Sequence, residues 1–364
     1  MEISAPARLL FFFHETSWSG APIQLYHLVT ELHARGYEIA AAIPPLGAPE
    51  SGPISTLLFQ MGTEVFPIVD LAAPPRLIEM TKLCRHFDVV IANTLVMWSA
   101  VQASHEAGVP VIWFIHESQV AHQLLAQNPA IQPALMLADR LVMPTHRTAQ
   151  LYRAFTQRAI EVVPYGIPAP KRLPSESRID KRMIFFLLGS YERRKGQDIF
   201  LEAVAQIPAD IRQRAVFRAA GRVLEKDFYE MWSRRAAAIS EVELLGALEH
   251  DNALTAITRS DVLVSASRDE TMPIAILEAM SLGKAIISTN VGGIHEWLQN
   301  NLNGILVPPE NSTALARALT QCLERPSQLA TLGKNAAETF VASFSIRRLG
   351  DTFSSLIESL QRDR

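Results

Sequence analysis

The sequence has few of the residues that would tie it to a metal, a disulfide framework or a nucleic acid. It contains only two cysteines, Cys84 and Cys322, which lie far apart and lack the close spacing of zinc ligands. They therefore indicate neither a disulfide framework nor a zinc site, and a reducing cytoplasm fits their scarcity. The formal net charge of −3 indicates no basic surface, so we expect no nucleic-acid partner.

Long hydrophobic runs are also missing. The N-terminal apolar run from Leu9 to Phe13 is five residues long, and Arg8 is the only basic residue ahead of it, which favours a first strand over a signal peptide. No stretch approaches the ~20 consecutive apolar residues that cross a bilayer. We therefore expect a cytoplasmic location and leave peripheral contact with the inner membrane face open.

Length and hydrophobic periodicity predict two α/β domains. At 364 residues the chain exceeds the ~250 to 300 residues at which a single core stops growing. Short apolar runs alternate with helical patterns in both halves, which indicates βαβ units and mostly parallel, doubly wound sheets. The predicted strands are 9–13, 39–43, 65–69, 89–92, 109–115 and 141–143, followed by 183–188, 215–220, 242–245, 262–265, 285–288 and 304–307.

A proline-rich stretch separates the two halves. The segment from Val162 to Arg178 carries four prolines and no helical period, so its second half is predicted to be a linker. The predicted domains are a Rossmann-like domain over 1–168, a linker over 169–181, a second Rossmann-like domain over 182–345, and a C-terminal helix over 346–364 that could pack back on the first domain. Two such domains would form a cleft at the carboxyl ends of their strands, where ligands of open α/β sheets bind.

One carboxylate stands alone on a helical stretch that is otherwise apolar. From Pro273 to Leu282 the sequence is apolar or small except for Ser281 and Glu278. A buried carboxylate is costly unless it is hydrogen-bonded, and the two hydroxyls of a nucleotide ribose would supply two donors. An ion pair with a basic residue of the core is the alternative, and the pattern does not decide between them. Pro273 is predicted at the first helical position, where the N–H groups of the helix start would suit a phosphate.

Two other predicted strand ends carry charged side chains. Arg194 and Lys195 are adjacent in a turn after strand 183–188, and two fixed cations suit a diphosphate. Glu270 follows strand 262–265, so it and Glu278 could hold two parts of an extended ligand. A solvent-facing turn and a solvated loop are the plainer interpretations.

The first half offers weaker candidates. Gly20 lies in a small-residue turn after the first strand, without the G-x-G-x-x-G spacing of a dinucleotide site. His116 follows strand 109–115. A histidine there is either a cleft residue or a satisfied core residue.

Taken together, these stretches resemble the retaining glycosyltransferases of family four, which have the GT-B architecture of two facing Rossmann-like domains. The resemblance is strongest from Asp261 to Pro309, where two glutamates separated by seven residues precede a strand, a Gly-Gly turn and an Asn-Gly-Ile-Leu-Val close. The Arg-Lys-Gly turn and the Val-Pro-Tyr-Gly-Ile segment before the linker support it. It covers essentially the whole chain and is weaker in the first domain.

The resemblance implies a role for each candidate residue. Glu278 would bind the ribose hydroxyls, Glu270 the hydroxyls of the donor sugar, and the two cations the diphosphate. His116 would orient the transferred sugar, and Gly20 would let the backbone approach the diphosphate. The implied catalytic set is Glu270, His116, Arg194 and Lys195, and the implied donor-binding set is Gly20, Ser190, Thr271, Met272, Pro273, Ile274 and Glu278.

Four positions depart from the family pattern. Ser190 stands where many members have arginine, and Gly20 follows Ser19 where many have paired glycines. Glu117 follows the strand-end histidine where aspartate is common, and His295 interrupts the usual turn after the two glycines. These departures spare the donor contacts and leave the acceptor chemistry open.

The implied activity is retaining transfer of a sugar from a nucleoside diphosphate sugar to a hydroxyl of a glycan or lipid-linked glycan, in cell-surface polysaccharide synthesis. No cofactor and no metal ion is expected. A nucleotide-sugar epimerase of the same architecture and a non-catalytic nucleotide-sugar-binding protein are the alternatives, whereas the missing G-x-G-x-x-G disfavours an oxidoreductase. The sugar, the base and the acceptor are not identified by the sequence, and we expect acceptor contacts from loops 46–53 and 117–133.

Overall fold

The chain forms two compact units. The computed structural model describes residues 6–70, 76–170 and 180–362. One unit comprises Met1–Pro168 and Ser345–Arg364, and the other comprises Ala169–Phe344. Most of the predicted linker, residues 171–179, lies outside the described residues.

The first unit is built on a parallel sheet. Over the described residues the sheet has seven strands in the order β3-β2-β1-β4-β5-β6-β7, and all neighbours are parallel. The strands are β1 Arg8–Phe12, β2 Glu38–Ile43, β3 Glu64–Pro67, β4 Val89–Asn93, β5 Val111–Phe114, β6 Arg140–Met143 and β7 Ile160–Val162. Residues such as Leu10 and Phe11 are fully buried, because helices cover both faces of such a sheet.

The helices of the first unit connect these strands. They are α1 Gly20–Ala34, α2 Pro53–Gln60, α3 Leu77–Cys84, α4 Trp98–Ala107, α5 Val120–Gln127, α6 Ile131–Ala134 and α7 His146–Tyr152. The loops that follow β1 and β4 start at the point where the strand order reverses, which is the usual place for a ligand.

The second unit repeats this design. Within the described residues its sheet has six parallel strands in the order β10-β9-β8-β11-β12-β13. The strands are β8 Met183–Leu188, β9 Ala215–Ala220, β10 Val242–Gly246, β11 Val262–Ser265, β12 Ala285–Thr289 and β13 Ile305–Val307. The helices are α8 Gln197–Gln206, α9 Ala209–Arg212, α10 Lys226–Ala236, α11 His250–Arg259, α12 Ile274–Ser281, α13 Ser312–Glu324 and α14 Ser327–Ser343. Here the order reverses between β8 and β11.

The last helix, α15 (Ile346–Arg362), belongs to the first unit. The ring of Phe353 lies 5.4 Å from the ring of Phe114 at the end of β5. On the outer side, Arg35 donates a hydrogen bond of 2.8 Å to Asp351. The chain therefore returns to its first unit after completing the second.

The predicted doubly wound α/β class is confirmed by these two sheets. The predicted bounds of β8, β9 and β11 coincide with the structure. The strand β7 escaped prediction, because its sequence Ile-Glu-Val has a charged residue at its centre and gives no apolar run. Pro273 is not the first helical residue as predicted: its ψ of 123° is extended, so it caps α12, which begins at Ile274.

No helix among the described residues is both long enough and apolar enough to cross a membrane.

Candidate active site

The loops after β8 and β11 meet where the second sheet reverses its order. The backbone N–H of Arg268 donates to the carbonyl oxygen of Arg194 at 2.7 Å. Gly196, with φ of +68°, lies so close that a Cβ there would be 2.0 Å from the carbonyl oxygen of Ala266. Only glycine allows this approach, so the basic turn is held against the loop that carries Glu270.

A bidentate ion pair ties the loop after β11 to the first turn of α8. Both terminal nitrogens of Arg268 donate to the carboxylate of Asp198, at 2.9 and 2.8 Å, and Nε of Arg268 donates to Glu310 at 3.0 Å. These carboxylates raise the pKa of Arg268. Neither Arg268 nor Asp198 was predicted from the sequence. The available signal was an arginine two residues before Glu270 and an aspartate three residues after Lys195.

Lys195 and Glu270 form the centre of the site. Lys195 Nζ lies 2.5 Å from Glu270 Oε1, Arg194 Nη1 lies 3.6 Å from Glu270 Oε2, and Ser267 donates to Oε1 at 3.0 Å. Glu270 is 7% exposed. Burial alone would raise the pKa of its carboxyl, but the two cations and Ser267 hold that pKa below its usual value. The carboxylate is therefore ionised and fixed.

Arg194 is shared between two carboxylates. Its Nη2 donates to Glu192 Oε1 at 2.9 Å, and its Nη1 donates to the carbonyl oxygen of Asp269 at 3.2 Å. Ser190, the residue in place of the common arginine, donates to the same Glu192 oxygen at 2.7 Å. Two cations thus face Glu192 and Glu270, and the charges of the cluster balance.

The backbone of Glu270 is held by the Gly-Gly turn. Gly292 has φ of +53°, and a Cβ there would lie 1.6 Å from the carbonyl oxygen of Glu270. Below it, the hydroxyl of Thr289 donates to the carbonyl oxygen of Ser267 at 2.6 Å. Gly292 therefore allows the loop after β12 to lie in close contact with the loop that carries Glu270.

The N-terminus of α12 follows Glu270 directly in the chain. Thr271 is partly buried, Met272 is buried, and Pro273 caps the helix through its carbonyl oxygen, which accepts from the N–H of Ile276 at 3.1 Å. The N–H groups of Ile274 and Ala275, which precede this bond in the helix, have no acceptor within their own helix. This end of α12 is suited to a negatively charged group.

Glu278 has a partner that the sequence did not indicate. Its Oε1 lies 2.7 Å from Nε2 of His250, the first residue of α11. Glu278 is therefore hydrogen-bonded inside the unit. The sequence had left open a basic partner in the core, and the residue found there is a histidine. The ribose role remains a prediction.

In the first unit, His116 has partners on both ring nitrogens. Nε2 lies 2.6 Å from Asn93 Oδ1, and Nδ1 lies 2.7 Å from the hydroxyl of Tyr165. Because the amide oxygen of Asn93 can only accept, these partners fit a proton on Nε2. Burial and the nearby His14 lower the pKa of His116 to about 3, so the ring is neutral at physiological pH.

Glu117 has a local structural role. Its Oε2 accepts from the N–H groups of Leu95 at 2.9 Å and of His116 at 3.1 Å, and burial raises the pKa of this carboxyl in spite of those bonds. It therefore anchors the turn after β4 to the end of β5. Gly20 is the first residue of α1, and a Cβ built on it would meet nothing within 4 Å.

The structure thus joins some of the predicted residues and separates others. Ser190, Arg194, Lys195 and Glu270 form one cluster with Glu192. Glu278 is paired separately, and Gly20 and His116 belong to the other unit. In the described ranges, no three His, Cys, Asp or Glu side chains converge as metal ligands would.

Comparison with known proteins identifies the chain's family. Residues 18–169 match the Glycosyltransferase Family 4 model, and residues 171–339 match the Glycosyl transferases group 1 model. The chain belongs to the family four glycosyltransferases. The resemblance seen in the sequence is thereby confirmed.

Relatives and structural neighbours of this family four glycosyltransferase are distant in sequence. It is 24% identical to the alpha-D-kanosaminyltransferase of Streptomyces kanamyceticus, over 70% of this chain and 71% of that protein. It is 26% identical to the D-inositol 3-phosphate glycosyltransferase of Streptosporangium roseum, over 71% and 67%. The Anabaena protein HepE, solved in complex with UDP and glucose, superposes with a TM-score of 0.83 at 20% identity and covers 97% of this chain and all of its own.

Proposed function

We propose that this glycosyltransferase moves a sugar, with retention of anomeric configuration, from a nucleoside diphosphate sugar to a hydroxyl of a glycan or lipid-linked glycan. The observation that carries the proposal is the pairing of Lys195 and Arg194 with Glu270 beside the N-terminus of α12. Cations and helix N–H groups stabilise a departing diphosphate, and a fixed carboxylate can accept from sugar hydroxyls. That HepE was solved with UDP and glucose supports such a donor.

In the proposed reaction, the acceptor oxygen bonds to the anomeric carbon on the face that the diphosphate leaves. The bond from that carbon to the diphosphate oxygen breaks, its electrons stay with the diphosphate, and the acceptor proton moves to a diphosphate oxygen. Lys195 and Arg194 neutralise the departing charge. We propose that no divalent metal is required, and full activity in EDTA is the expected result.

A thermal-shift panel tests the donor site first. UDP-, GDP- and dTDP-sugars are added to wild type, to Glu278→Ala and to Glu338→Ala, an exposed glutamate of α14 that serves as the control. A ligand at 100 times its Kd adds about 2.7 kcal/mol of stability. We expect one nucleotide class to stabilise wild type and the control, and to stabilise Glu278→Ala much less. The absence of a shift with every donor would contradict the proposal.

Product analysis tests the reaction. With the identified donor and lipid-linked glycans as acceptors, proton NMR of the first product reports the configuration of the new linkage, and we expect that of the donor. Epimerised donor without an acceptor would instead show an epimerase. Tight donor binding with no turnover on any glycan would favour a binding protein.

A further inference from the structure

The histidine partner of Glu278 lies at the mouth of the proposed donor site. His250 opens α11, directly after β10 and its loop, at the same carboxyl edge of the sheet as Glu270. The Glu278 side chain is 7% exposed and that of His250 is 28% exposed. The pair is therefore enclosed on the Glu278 side and reachable on the His250 side.

The position of α11 does not depend on this pair alone. At its other end, Lys284, which follows α12, donates through Nζ to the carbonyl oxygen of Thr258 and to that of Ser260 at 2.9 Å. Lys284 therefore ties the C-terminal end of α11 to the chain just beyond α12. Loss of the bond between His250 and Glu278 would therefore leave this end of α11 attached.

The carboxylate has acceptor capacity beyond this bond. Side chains on an α-helix point back towards its N-terminus, so Glu278 reaches towards the Ile274 end of α12. An ionised carboxylate has about four lone-pair sites, and His250 uses one of them on Oε1. The remaining lone-pair sites can accept hydrogen bonds from two neighbouring hydroxyls.

We infer that His250 is a positioning residue that orients Glu278 for two ribose hydroxyls, and that the pair makes the site select ribonucleotides over 2′-deoxyribonucleotides. The inference rests on the proposed donor site. Without His250, the glutamate can rotate about its side-chain bonds and accept from water. A nucleotide that lacks the 2′-hydroxyl leaves one acceptor of the oriented carboxylate without a donor, which is costly in an enclosed site.

Calorimetry with matched nucleotides measures this selection. The probes are UDP, GDP and ADP, their 2′-deoxy forms, and dTDP. For the base that binds best to wild type, we expect the ribonucleotide to bind at least roughly 10-fold more tightly than its 2′-deoxy form, since the loss of a hydrogen bond to a charged group has an effect of at least this size.

Three variants separate positioning from folding. In His250→Leu, we expect the ribose preference to fall to less than about 3-fold, because the bond that orients the carboxylate is lost. His250→Gln keeps an N–H donor and is expected to restore much of the preference. Glu249→Ala, an exposed neighbour whose side chain does not cap α11, is expected to keep the wild-type ratio. Thermal melting of each variant confirms that it is folded.

The outcomes distinguish this inference from the proposed function. If wild type binds none of the nucleotides, the proposed donor site fails and the inference with it. If a ribonucleotide and its 2′-deoxy form bind wild type equally, or dTDP binds best, the donor site stands and the inference is wrong. An unchanged ratio in folded His250→Leu, or its loss in both His250 variants alike, also overturns the positioning role.

Discussion

Lys195 Nζ and Glu270 Oε1 are 2.5 Å apart, although their residues are separated by 75 positions in the chain. The contact joins the loop after β8 to the loop after β11, and it keeps a nearly buried carboxylate charged. Both side chains are needed by the proposed reaction, one for the diphosphate and one for the sugar. The pair therefore holds the two halves of the proposed donor site in register before any donor binds.

Breaking this pair from one side should destabilise the second unit. The Lys195→Met variant leaves Glu270 buried with Arg194 as its remaining cation, and we expect a loss of about 3 kcal/mol in the free energy of unfolding. In Lys195→Met/Glu270→Gln the uncompensated charge is gone, so much of the stability should return while transferase activity stays lost. Denaturant unfolding of both single variants and the double variant gives the coupling energy, and additive losses would show that the two side chains do not interact.

Gly292 offers a test of the loop contact itself. In Gly292→Ala, the new Cβ would clash with the carbonyl oxygen of Glu270, so the loop that carries Glu270 has to move. If that loop has the proposed role, we expect kcat to fall at least about 100-fold, since small misplacements of catalytic groups have such effects. Gly246→Ala is the control: its φ of +68° imposes the same backbone strain, but a Cβ there meets nothing within 4 Å. Equal kinetic losses in the two variants would attribute the effect to strain.

Strands with a clear local hydrophobic pattern could be predicted from the sequence. Met183–Leu188 is an apolar run between Arg182 and Gly189, and its predicted limits are correct, as are those of Ala215–Ala220. Arg194, Lys195 and Glu270 were each placed at a strand end from the sequence, and strand ends of one parallel sheet meet at one edge. The ion pairs between them were not predicted.

Partners set by tertiary packing were not predictable. His250 reaches Glu278 across 28 positions, and this contact depends on how α11 lies against α12. Likewise, both nitrogens of His116 are taken by Asn93 and Tyr165, which come from β4 and from the segment after β7. Hydrophobic periodicity gives the elements but not the angles at which they pack.

The buried histidine of the first unit should make stability depend on pH. The pKa of His116 is lowered from 6.5 to about 3 by burial and by His14. A lowered pKa means that the unfolded chain binds the proton first, so this stability is complete above pH 6.5 and declines by about 1.4 kcal/mol per pH unit below it. We expect wild type to lose its advantage over His116→Gln between pH 6.5 and 4.5.

Urea unfolding at several pH values measures that difference. His105→Gln, an exposed histidine of α4, is the control and should follow the wild-type curve. A wild-type advantage over His116→Gln that stays constant with pH would mean that the folded protein accepts the proton on this ring.

Glu192 should weaken the binding of the diphosphate. Its Oε1 accepts a hydrogen bond of 2.9 Å from the guanidinium of Arg194. Its negative charge therefore lies where the diphosphate of the proposed donor would add further negative charge. In Glu192→Gln, Arg194 keeps its contacts with Glu270 and the Asp269 carbonyl, and we expect UDP or the preferred nucleotide to bind roughly fivefold more tightly, an effect of about 1 kcal/mol. The gain should shrink as salt is raised, because it is electrostatic.

Glu225→Gln is the control for this prediction. It removes another carboxylate, 3.8 Å from the neighbouring Arg193, and should leave the affinity for the nucleotide unchanged. Weaker binding in Glu192→Gln would instead show that Glu192 is needed to orient Arg194.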